Sequence, residues 1–196
     1  MTIKMSLGAF LSAAAFTAGA ILVSAMPMTG AHAADGTLGS TSNATSTLSV
    51  TLPDRVVIKD VDNLTFSGIS TWDGTADVTD SDNVCVYSTT GGYNVTADGD
   101  NAANANNEFK IADGSGNLVA YTVEFAGTSG AGSGTSIPTP GTPVTGFTVS
   151  GGVTASCSSN NATFLVSLLN SNGGDDLLNA PSGAYSGTLT LTVAPE

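Results

Sequence analysis

Carboxylates are the chemistry this sequence offers in quantity: 16 Asp and Glu stand against four bases, Lys4, Arg55, Lys59 and Lys110, for a net charge of −12. Crowded carboxylates can bind a hard cation, and a pair of them can hydrolyse a glycoside. Asp73, Asp77, Asp80 and Asp82 crowd one loop and are the calcium candidates; Asp98 and Asp100 share another. Asp113, Ser115, Asn117 and Glu124 echo the spacing of an EF-hand loop. Leu118, however, stands where that loop needs Gly, and the run from Tyr121 to Phe125 reads as a strand instead of an exiting helix. Most of the acids neighbour Gly or Asn, where a carboxylate bonds its own backbone. The expectation is acidic turns with no bound metal and no cofactor.

Other chemistries lack their parts. His32 is the sole histidine and lies in the leader described next, so the remaining chain has no Ser–His or Cys–His couple and no imidazole metal site. No phosphate-cradling glycine loop and no nucleophile elbow occurs. Trp72, the single tryptophan, makes little of a sugar platform. The chain is expected not to be an enzyme. The acidic surface repels nucleic acid and anionic membranes, whose binding needs clustered Lys and Arg.

Residues 1–33 have the order of a cleavable signal peptide: Lys4, an apolar run over 7–23 and the small-residue site Ala31-His32-Ala33. The run is barely long enough to span a bilayer and is rich in Ala, Ser and Gly, so cleavage is expected over a retained anchor, with no membrane insertion of the mature chain. Export follows, through the periplasm to the cell surface or beyond. Cys85 and Cys157 are the two cysteines, most simply one disulfide in an exported chain, with a pair of free thiols as the alternative.

The elements that must hold these residues are strands. Tyr185, Leu189, Leu191 and Val193 share one parity while Thr188, Thr190 and Thr192 share the other. Tyr121, Val123 and Phe125 alternate likewise, as do Tyr93, Val95 and Ala97, and Phe164, Val166 and Leu168. Phe109 with Ile111, and Phe147 with Val149, make shorter runs. Near the start, Leu48, Val50 and Leu52 alternate until Pro53 stops the ladder; Val56 and Ile58, then Leu64 and Phe66, follow. About ten short strands parted by Asp-Gly and Gly-Gly turns predict an all-β sandwich or barrel. Residues 126–143, nearly all Gly, Ser, Thr, Ala and Pro, read as a surface loop inside one domain. Sequons begin at Asn43, Asn63, Asn94 and Asn161.

Four stretches carry a resemblance to a known family. They are Asn63-Leu64-Thr65-Phe66-Ser67-Gly68; Val84-Cys85-Val86-Tyr87 leading to Gly92-Tyr93-Asn94-Val95-Thr96-Ala97; Phe109-Lys110-Ile111 through Leu118-Val119-Ala120-Tyr121-Thr122-Val123; and Pro181-Ser182-Gly183-Ala184-Tyr185 through Val193. This set resembles the spore coat protein U-type family, which includes the pilin subunits of archaic chaperone–usher fimbriae. The resemblance implies an immunoglobulin-like antiparallel β-sandwich, pilin-like, that lacks its last strand. A periplasmic chaperone would cover the gap first, then the N-terminal strand of the next subunit, in a polymer passed out by an outer-membrane usher. The donor would come from residues 34–52, with Leu38, Ala44, Leu48, Val50 and Leu52 as its apolar residues, and the sandwich from 53–196 would accept it. The family's usual cysteine near the first strand is absent, so Cys85 would reach Cys157.

Two functions remain in view. One is a structural subunit of a bacterial surface fibre, built by donor-strand exchange. The other is a monomeric secreted or surface-coat β-sandwich that binds a ligand and is stabilised by calcium. Residues 34–52 separate them, because a donor is dispensable for its own subunit's fold and an intradomain first strand is not.

Overall fold

A computed structural model describes residues 34–67, 69, 73–100 and 107–196. The expected signal peptide, residues 1–33, lies outside the described residues, as does Trp72. The chain divides into two units, Met1–Thr51 and Leu52–Glu196. In the first, residues 34–51 are exposed throughout and form no strand, only a single bridge between Ala34 and Thr45. The alternation of Leu48, Val50 and Leu52 therefore ends in no ladder here. The pattern supplies an apolar face, but a strand also needs a partner edge.

The second unit is an antiparallel β-sandwich. Its strands are β1 (Val56–Lys59), β2 (Val78–Ser88), β3 (Gly92–Gly99), β4 (Phe109–Ala112), β5 (Leu118–Ala126), β6 (Thr135–Ile137), β7 (Val144–Thr148), β8 (Ala162–Leu168) and β9 (Leu189–Pro195). The larger sheet runs β1-β2-β8-β5-β4, and β6 takes the same side of β5 as β4, further along the strand. The smaller sheet runs β7-β3-β9. No α-helix occurs among the described residues.

Inward positions from both sheets make one core. Val84 and Val86 of β2, Tyr93, Val95 and Ala97 of β3, Val119, Val123 and Phe125 of β5, and Phe164 and Val166 of β8 are buried in it. Phe125 meets Phe147 edge-on across the sandwich, with ring centroids 5.1 Å apart, and Tyr93 stacks on Phe147 at 5.7 Å. Edge-to-face and offset pairs of this kind add to the area they bury.

Three segments depart from the sequence reading. The 126–143 stretch is not loop throughout: Thr135–Ile137 pairs with β5 as β6, and Ile137 enters the core. A single apolar residue among small polar ones gives too little alternation to mark a strand. A side chain on Gly134, just before it, would meet the Phe125 backbone at 2.6 Å, so glycine is required at that close approach. The C-terminal run is two pieces: Ser186 bridges Ala112 of the larger sheet, and β9 then joins β3 of the smaller one. Finally, Asp80 and Asp82 lie on β2 and not in a loop. There the strand alternates exposed and half-buried residues, and both acids take half-buried positions with their carboxylates hydrogen-bonded.

Candidate functional site

The sandwich is open along one side. β9 is the last strand of the smaller sheet and β1 the last of the larger, and among the described residues each pairs on one flank only. The two lie side by side, with Cα atoms within 8 Å, yet do not pair. Every second residue of an edge strand turns its N–H and C=O outward, so this corner offers two rows of unused backbone groups. The inward residues of both strands, Val56 and Ile58 of β1 and Leu189, Leu191 and Val193 of β9, pack on the core but stay half-buried. Their counterparts Val95 and Ala97, in the middle of the smaller sheet, are fully buried. An apolar strip beside free backbone groups is what a strand-adding partner requires.

Local structure positions both edges. β1 is held to β2 from Val56↔Ser88 to Lys59↔Cys85. Beside it, Cys85 is bonded to Cys157, which fastens the segment between β7 and β8 over the outer face of the larger sheet. Lys59 Nζ donates to Ser156 O in that segment at 3.2 Å. At the far end of β9, Glu196 Oε1 accepts from Gly146 N at 3.0 Å, so its side chain reaches across β3 to β7.

The structure does not gather the calcium candidates. Asp73 accepts from the amide and hydroxyl of Thr75, and the hydroxyl bond, before the amide bond, holds its carboxyl below the usual range. Asp77 accepts from Asn170 N at 2.7 Å, Asp80 from Thr65 N at 3.0 Å and Asp82 from Asp62 N at 2.7 Å. The last two fasten the stretch that carries half-buried Leu64 and Phe66 alongside β2, without a strand. Asp113 folds its own turn, accepting from Ser115 N and from the amide and side chain of Asn117, while Glu124 points to Gly134 N from β5. Among the described residues, no group of three His, Cys, Asp or Glu comes together to hold a metal.

Sequence reasoning missed three polar centres. Buried Asn161 accepts from Val86 N and donates to the carbonyls of Val86 and Ser150, which ties β2 to the β7–β8 connection. Asp176, fully buried, accepts from the amides of Asn172, Gly174 and Asn179 and from the Asn179 side chain. Lys110 is buried between Glu108 and Asp175. Asn161 also opens a sequon, but its amide is buried in the protein.

Leu38, Leu48, Val50 and Leu52 are exposed, as is Ala44. No helix among the described residues is long and apolar enough to cross a membrane. No family model and no curated protein matches the chain. A solved structure titled for a chaperone–tip adhesin complex in CFA/I fimbriae biogenesis matches with a TM-score of 0.48 and 17% identity, over 72% of this chain. This chain spans 42% of the length of that one.

Proposed function

We propose that the chain is a non-catalytic structural subunit of a bacterial surface fibre, exported by cleavage after residue 33 and assembled by strand donation. Residues 34–52 of one subunit, anchored by Leu38, Ala44, Leu48, Val50 and Leu52, pair at the β1/β9 side of the next. A periplasmic chaperone covers that side before the usher passes the subunit outward. The observation that carries this reading is the open corner of the sandwich, two adjacent unpaired edges with a half-buried apolar strip between them. It is also supported by the exposure of Leu38, Leu48, Val50 and Leu52, four large apolar residues that water would leave to a partner. The four sequence motifs support the spore coat protein U-type kinship.

One observation favours the second reading, a monomeric secreted or coat domain. A strand inserted between two others needs about 9–10 Å from flank to flank, and β1 and β9 already approach within 8 Å. Under the fibre reading β1 and β9 move further apart when the donor enters. The test is co-expression of the chain with a fimbrial chaperone, followed by unboiled denaturing electrophoresis. A ladder is expected, and its loss on deletion of residues 34–50. Persistence of the ladder after deletion, or a stable folded monomer made without any chaperone, would sink the fibre reading.

A further inference from the structure

Lys110, unlike Arg55 and Lys59, has its charged side chain buried, only 4% exposed. It stands on β4 next to inward-facing Phe109, so its side chain lies on the outer face of the larger sheet. Its Nζ is 3.0 Å from Glu108 Oε2 and 2.5 Å from Asp175 Oδ2. The backbone of Asp175 is held in place. Its carbonyl accepts from Ala120 N of β5 at 2.9 Å, and its neighbour Asp176 locks the surrounding loop through four hydrogen bonds.

A buried amine in contact with a half-exposed carboxyl, and touched by a second, forms a set of reactants with a proton carrier in place. We propose that Lys110 and Asp175 become joined by an intramolecular amide after folding, with Glu108 carrying the protons. The ammonium gives one proton to Glu108, which passes it to the Asp175 carboxyl. The freed Nζ electron pair attacks Asp175 Cγ. A second Nζ proton travels through Glu108 to the departing oxygen, the C–O bond breaks, and water leaves. One ammonium and one carboxylate thus become one amide and one water, Glu108 is regenerated, and no oxidant or reductant takes part.

Two physical terms favour the step. Contact held by a fold is equivalent to a reactant concentration of about 10⁵–10⁸ M when geometry is productive. The buried Lys110 ammonium also carries a desolvation cost that a neutral amide abolishes. The product would tie edge strand β4 to the loop that follows β8, and it forms whether or not the chain assembles into a fibre.

The test exploits the scarcity of bases: beyond Lys59, Lys110 is the last site where trypsin can cut. An amidated Lys110 is not cut. After reduction and denaturation, the wild-type digest should contain residues 60–196 as one fragment, lighter than its sequence by one water. Asp175→Ala should give two fragments meeting at Lys110, and Glu108→Gln should be linked at most in minor part. A wild-type digest cut at Lys110, or an uncut fragment at full sequence mass, overturns the proposal without recourse to any variant. A fully linked Glu108→Gln chain overturns the role of Glu108.

Discussion

At the scale of single residues, buried polar groups do more here than exposed acids. Asp176 illustrates the physics: the hydrogen bond from Asn172 N, with those from Gly174 and Asn179, outweighs burial and pulls its carboxyl from the usual 3.8 to about 2. The unfolded chain therefore takes up this proton first. The stability Asp176 contributes is whole above about pH 4 and drains away as pH falls toward 2. Melting curves across that range should show a steeper acid loss for the wild type than for Asp176→Asn, which should be less stable at neutral pH. Asn161→Ala leaves the buried Val86 N–H and C=O and the part-buried Ser150 C=O without this partner, at a cost of about 2–4 kcal/mol in urea unfolding. Neither role was legible in the sequence. An Asp beside Gly-Gly and Asn reads as a turn former, and nothing local says that the turn closes over itself and is buried.

At the scale of elements, the strands with the cleanest alternation, β3 and β5, stood where the pattern put them, because each has one face in the core. The Cys85–Cys157 disulfide closes 72 residues and fastens the β7–β8 connection beside β1. Cys157→Ser should cost about 4 kcal/mol by chain entropy, read as a lower denaturant midpoint that reductant no longer shifts. The donor segment supports an opposite expectation. Leu48→Asp and Val50→Asp alter side chains that are 91% and 82% exposed, so unfolding should move by less than about 0.5 kcal/mol. The same changes should erase the unboiled ladder, because a carboxylate cannot enter an apolar strip. A ladder that survives both would detach those residues from assembly.

At the scale of the whole molecule, the two readings of function differ in one property, whether the sandwich is finished by its own chain. In subunit made with and released from the chaperone, deleting residues 34–50 should leave the melting transition of Leu52–Glu196 in place, since both its sheets pair among themselves. A collapse of that transition on deletion would favour an intradomain first strand. Composition and two-residue periodicity were enough, by themselves, to determine an all-β chain with an acidic, hydroxyl-rich exterior, because those properties are set residue by residue. They also nominated the cysteine pair. Tertiary structure alone decided that Asp80 and Asp82 anchor a neighbouring stretch, that Lys110 meets Asp175, and that β1 and β9 end up side by side and unpaired. Each of those facts joins residues distant in sequence, and an edge is defined by the strand that is absent from it, which no local pattern can record.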